Sequence, residues 1–128
     1  MKKCTVLFFL FVSVFNLLPI QSKLLDNLDL TDEQTQKINV LMTENELKME
    51  ELLIELQIKQ YELKKLLLND AVNKNTLKDA LNSIAVIEVE IRFLKYTQEL
   101  DILKILSNDQ KKKYKIAKLN KERSGSEQ

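Results

Sequence analysis

The chain has no histidine, and it has a single glycine, a single proline and a single cysteine in 128 residues. Without histidine there is no histidine-based acid–base catalysis and no histidine-ligated metal site. Gly125 is the only glycine and lies near the C-terminus, so glycine-rich phosphate-binding loops are excluded. One cysteine permits neither an intrachain disulfide framework nor a multi-cysteine metal site. These absences exclude most classes of enzyme, and we expect neither catalysis nor a cofactor.

Residues 1–22 have the order of a secretory signal peptide. Lys2 and Lys3 precede an apolar run over residues 5–15, and a polar stretch follows at residues 21–23. This run is shorter than the roughly 20 apolar residues of a membrane-spanning helix. Because Ser22 is a small residue, we expect cleavage after it and export to the periplasm. Cys4 would leave with the signal, and the mature chain would have no membrane span. An uncleaved N-terminal anchor is the alternative.

The scarcity of glycine and proline predicts long, uninterrupted helices. Apolar residues recur at three- and four-residue spacing through residues 31–69 and again through residues 76–106. A cluster rich in asparagine at residues 69–75 predicts a turn between them, and a third helix is predicted from Ser107 to about Asn120. The sequence therefore predicts an all-α domain over residues 23–120, a long helical hairpin plus a short C-terminal helix. A disordered polar tail is predicted over residues 121–128.

The first predicted helix carries two apolar stripes. Heptad positions a and d form a coiled-coil seam, which Asn45 and Lys59 interrupt. Position f is apolar throughout, although a solvated helix is polar there. We expect one stripe to pack on the second helix and the other to be covered by a second subunit or to stay open for an apolar client. Position f holds Val40, Leu47, Ile54, Tyr61 and Leu68, and positions a and d hold Ile38, Met42, Asn45, Met49, Leu52, Leu56, Lys59, Leu63 and Leu66. The predicted seam of the second helix is Ala80, Ile84, Ile87, Ile91, Leu94 and Ile105.

Basic side chains concentrate near the C-terminus. Residues 104–123 carry seven lysines and one arginine against only two acidic residues. Pairing with the acidic first helix is one explanation, and steering of acidic or unfolded clients toward Lys111, Lys112 and Lys115 is another. Binding of nucleic acid conflicts with the predicted export, and we expect no such partner.

Two short motifs predict where helices begin. In Leu30-Thr31-Asp32-Glu33-Gln34, Thr31 is the expected N-cap and Gln34 follows three residues later, which is a capping box. The stretch Leu106-Ser107-Asn108-Asp109-Gln110 repeats the arrangement, with Ser107 as N-cap and Gln110 as its partner.

The pair of motifs, placed on either side of a helical hairpin and behind a signal peptide, resembles the LTXXQ-motif family of periplasmic proteins. That family includes the Spy/CpxP-like chaperones and related stress or metal-responsive proteins. The resemblance covers about residues 28–118 and rests on Leu30, Thr31, Gln34, Leu106, Ser107 and Gln110. It implies an antiparallel, cradle-shaped homodimer and an ATP-independent chaperone that holds unfolded envelope proteins. Because the mature chain has no histidine or cysteine, we expect no metal site.

Two other functions stay open. A regulator that binds the sensor domain of an envelope stress kinase would use the same fold with one folded partner. A passive coiled-coil spacer or surface adhesin would have no affinity for unfolded proteins.

Overall fold

The computed structural model describes residues 23–125 of the protein. The predicted signal peptide, with Cys4 and its cleavage site, and residues 126–128 of the predicted tail lie outside the described residues. Within that range the chain is helical and contains no strand, which confirms the all-α prediction. Helix α1 runs over Asp32–Leu67, α2 over Lys74–Ile105 and α3 over Asn108–Gly125. No helix among the described residues has the length and apolar character needed to cross a membrane.

The described chain divides into two compact units. The terminal unit combines residues 23–35 with residues 106–125, and the hairpin unit is residues 36–105. The buried apolar side chains of the terminal unit come from both of its stretches of chain: they are Leu25, Leu28, Leu106 and Tyr114.

In the hairpin unit, α1 and α2 pack together as a long helix pair, which confirms the predicted hairpin. Every a and d member of α1 is buried or half-buried, and so is every predicted seam residue of α2. The seam of α2 also includes the buried Gln98 and Ile102, which continue the same three- and four-residue spacing. The stripe that closes the hairpin is therefore the a and d stripe.

Polar side chains interrupt this seam at three positions. Asn45 and Gln98 are both buried, and they lie at nearly the same distance along the pair from the connection between α1 and α2. A polar side chain at a core position favours one register of a helix pair over its neighbours. Lys59 keeps its aliphatic stem half-buried while its ammonium reaches Glu62 at 2.9 Å. This hydrogen bond, with the charge of Glu62, raises the pKa of Lys59 above its usual value.

The connection between α1 and α2 lies earlier in the sequence than predicted, because α1 ends at Leu67 and an asparagine caps α2 earlier than expected. The Asn73 Oδ1 accepts from the Asn75 N–H at 2.8 Å, so Asn73 is the N-cap and α2 begins at Lys74 instead of Thr76. At the other end of the connection, the Asn69 Oδ1 accepts from the Ala71 N–H at 3.1 Å. This bond forms a local Asx turn just beyond the end of α1.

Helix α3 is longer than predicted and corrects the boundary of the polar tail. It continues five residues past Asn120 to Gly125, so residues 121–125 are helical. The added turn contains lysine, glutamate and arginine, which are good helix formers although they are strongly polar. The Ser124 hydroxyl also donates to the Asn120 carbonyl oxygen at 3.2 Å. Low hydropathy alone was therefore a poor guide to disorder in this segment.

Candidate functional site

Both predicted capping boxes form in the terminal unit. The Gln34 N–H donates to the Thr31 Oγ1 at 3.1 Å, and the Thr31 N–H donates to the Gln34 Oε1 at 3.0 Å. The Gln110 N–H likewise donates to the Ser107 Oγ at 3.3 Å, and the Ser107 N–H donates to the Gln110 Oε1 at 2.9 Å. The helix-cap roles of these four residues are confirmed.

The two boxes are joined by their glutamine side chains. The Gln34 Nε2 donates to the Gln110 Oε1 at 2.8 Å, and the Gln110 Nε2 donates to the Gln34 Oε1 at 3.0 Å. Each amide oxygen thus accepts from the backbone of its own box and from the side chain of the other box. This part-buried, reciprocal pair ties together the first turns of α1 and α3, which are 76 residues apart in the sequence.

The Gln110 amide also holds the segment that leads into α1. Its Nε2 donates to the Leu28 carbonyl oxygen at 3.1 Å and, at the longer distance of 3.4 Å, to that of Asp29. Asp29 has a positive φ of 50°, a left-handed conformation that aspartate tolerates better than most residues. Its carboxylate lies 3.9 Å from the Lys113 ammonium. Both groups are largely exposed, so this ion pair contributes little to stability.

The leucine of each motif is placed differently. Leu106 is buried in the terminal unit, and Leu30 is half-buried. The hydrogen bonds of both motifs satisfy the first turns of helices, and the motifs supply no nucleophile paired with a base. Within residues 23–125 there is also no group of three or more acidic or cysteine side chains that could hold a metal ion. The capping hydrogen bonds of the motif pair give it a structural role at the starts of α1 and α3.

The predicted second stripe of α1 is exposed along its whole length. Its five members are between 53% and 84% exposed, and four of them lie on α1. The fifth, Leu68, lies just beyond the end of that helix. Ile58 is also exposed and widens the stripe beside Ile54 and Tyr61. The Lys65 ammonium lies 6.0 Å from the centre of the Tyr61 ring, at the outer limit of a cation–π contact. We call this surface the α1 outer stripe; it consists of Val40, Leu47, Ile54, Tyr61 and Leu68.

The structure shows a comparable exposed apolar stripe on α2, which the sequence analysis did not predict. Its members recur at alternating three- and four-residue spacing and lie on the side of α2 that faces away from the seam. The seam of α2 has the same helical period, so the spacing of apolar residues in this segment is already explained by the seam alone. We call this surface the α2 outer stripe; it consists of the exposed Val86, Val89, Phe93, Tyr96 and Leu100.

The candidate lysines lie on α3 in the terminal unit. Lys112 and Lys115 are exposed, and Lys111 is half-buried. The α1 outer stripe belongs to the hairpin unit, so the two parts of the predicted client surface belong to different units.

Comparison of the chain with protein-family models, with curated proteins and with solved structures finds no match.

Proposed function

We propose that this protein is an exported, ATP-independent holding chaperone whose α1 outer stripe binds unfolded or misfolded envelope proteins. The observation that carries the proposal is the row of exposed apolar side chains on α1, at heptad positions that are polar on a solvated helix. Exposed apolar surface of this kind marks a binding site. The paired capping boxes, which resemble those of the LTXXQ-motif family, and the signal-like N-terminus support the periplasmic location.

The composition of the α1 outer stripe suits a varied set of clients. Its consecutive members are all seven residues apart, so it lacks the paired a and d positions that a coiled-coil partner needs. Five glutamates and one lysine lie between Val40 and Leu56, and this negative charge opposes parallel pairing with a second copy of the same surface. An extended client segment can place its apolar residues on the stripe and its basic residues beside the glutamates. Neither contact requires a fixed register.

The α2 outer stripe has the properties expected of the homodimer interface. Its three- and four-residue spacing is that of a coiled-coil seam, and acidic and basic residues are mixed around it. One antiparallel register of α2 against α2 of a second copy places Phe93 of each copy opposite Tyr96 of the other. Aromatic pairs of this kind contribute about 0.5–1.5 kcal/mol each beyond the area that they bury.

The dimer is tested with the single substitution Phe93→Asp, which places a charge at the centre of the α2 outer stripe. Two carboxylates in an apolar interface lose hydration without gaining a partner, so we expect a monomer at micromolar concentration. Sedimentation equilibrium measures the mass of this variant and of a control, Leu81→Asp, at an exposed apolar position of the same helix outside the α2 outer stripe. A dimer that survives Phe93→Asp would place the interface elsewhere.

The chaperone activity is tested by diluting a chemically unfolded model protein into a few-fold excess of the exported protein without ATP. We expect light scattering to be suppressed, and added ATP to change nothing. Unchanged scattering in the presence of correctly folded protein would contradict the proposal. A single dominant partner in envelope extracts would then favour the regulator.

A further inference from the structure

We propose that the outward face of α3 binds the surface of an anionic phospholipid bilayer. This inference goes beyond the chaperone function, because it concerns the terminal unit and needs no unfolded client. It rests on the charge of α3, on the position of its exposed aliphatic side chains, and on the burial of its only aromatic residue.

The first observation is the charge of the helix. Residues 111–121 contain six lysines and no acidic residue, and the acidic side chains of α3 lie outside this stretch, at Asp109 and Glu122. Lys112, Lys113 and Lys115 are exposed. The exposed ion pair between Lys113 and Asp29, at 3.9 Å, does not remove this charge from the surface.

The second observation is the placement of two aliphatic residues among these lysines. Tyr114 is buried and fixes the inner side of α3. At 100° per residue, Ile116 and Leu119 lie on the opposite side, close to the line of Lys112. They are 59% and 56% exposed. Lysines around exposed aliphatic side chains are the pattern of a helix that lies in the interface of a membrane, with its apolar residues among the acyl chains.

The same two observations favour a bilayer over a nucleic acid. Phosphate groups of either partner would attract the lysines, but Ile116 and Leu119 gain nothing from a phosphate backbone. Single-stranded nucleic acid is bound on stacked aromatic rings, and the only aromatic residue of α3 is the buried Tyr114.

The test is cosedimentation of the exported protein with vesicles, after intact mass has established its first residue. One vesicle preparation is phosphatidylcholine alone, and the other contains one-third phosphatidylglycerol. We expect binding to the anionic vesicles at 0.1 M salt and its loss at 0.5 M salt, because the attraction is screened. Each lysine near an anionic surface contributes about 1 kcal/mol, or on the order of fivefold in affinity. Lys112→Glu, Lys113→Glu and Lys115→Glu together should therefore weaken binding at least about a hundredfold.

A matched control carries the same change of charge in the hairpin unit, at the exposed Lys48, Lys64 and Lys78, each replaced by glutamate. It should bind anionic vesicles far better than the α3 variant. Ile116→Ser with Leu119→Ser should weaken binding about tenfold. The proposal would be overturned if the two charge variants bound the vesicles equally well. It would also be overturned if the serine pair had no effect and duplex DNA displaced the protein from the vesicles. Leu47→Ala with Ile54→Ala should leave vesicle binding unchanged, because these residues belong to the α1 outer stripe. A failure of the bilayer proposal is therefore distinguishable from a failure of the chaperone proposal.

Discussion

Replacing Gln110 with leucine is expected to lower the free energy of unfolding by about 3 kcal/mol, since each lost hydrogen bond costs about 0.5–1.5 kcal/mol. The Gln110 amide caps α3 through Ser107, pairs with Gln34 in both directions and donates to the Leu28 carbonyl. Leucine has a similar size and a good helix propensity, so the loss would come from these bonds and not from the helix itself.

The reciprocal pairing of the two glutamines makes their substitutions non-additive. Once Gln110→Leu has removed the pair, Gln34→Leu can no longer remove the two bonds of that pair. We expect the double variant to lose about 1–2 kcal/mol less than the sum of the single variants. Independent capping boxes would instead give additive losses.

Urea unfolding followed by circular dichroism measures these differences. The control is Gln57→Leu, at an exposed position of α1, where the change should stay within about 0.5 kcal/mol. For a domain of this size, the loss at Gln110 also corresponds to a fall in Tm of more than about 10 °C. If Gln110→Leu is no more costly than Gln57→Leu, the motif pair does not hold the terminal unit together.

The second large effect concerns client binding. Replacing Leu47, Ile54 and Tyr61 together with alanine should weaken binding of unfolded protein by on the order of a hundredfold, because each side chain loses roughly 1 kcal/mol of partial burial against the client. Alanine keeps the helix propensity of α1, and all three positions are exposed. The folded structure should therefore be retained.

The matched control removes three exposed aliphatic side chains that lie outside α1, through Leu81→Ala, Ile116→Ala and Leu119→Ala. Fluorescence anisotropy with a labelled unfolded protein measures the affinities, and sedimentation checks that the oligomeric state is unchanged. We expect the control to bind within a few-fold of the original protein. Equal losses in the two variants would mean that apolar area in general, and not the α1 outer stripe, determines binding.

The helices, the seam and the caps could be predicted because their signals are local. Spacings of three and four residues specify the packed face of α1, and a threonine three residues before a glutamine specifies a helix start. The sequence also indicated that the f positions of α1 were unusual, since apolar residues there have no use within one hairpin.

The contact between Gln34 and Gln110 could not be predicted in the same way. Each glutamine is explained locally by its own capping box, and only the fold brings the two boxes together. The start of α2 was missed for a related reason: Asn73 belongs to a cluster typical of turns, yet its side chain caps a helix. The α2 outer stripe has three- and four-residue spacing in the sequence, but the seam of the same helix has the same spacing, so the two patterns overlap.

The most direct test of the account is site-specific photo-crosslinking to an unfolded client. A photoreactive phenylalanine analogue is placed at Leu47 on the α1 outer stripe, at Val89 on the α2 outer stripe, or at the exposed Glu88 as a control. On irradiation with an unfolded model protein, we predict an adduct with the client from position 47, a self-adduct of dimer mass from position 89, and little of either from position 88. Client adducts of equal yield at all three positions, or at position 89 alone, would contradict the assignment of α1 as the client-binding surface.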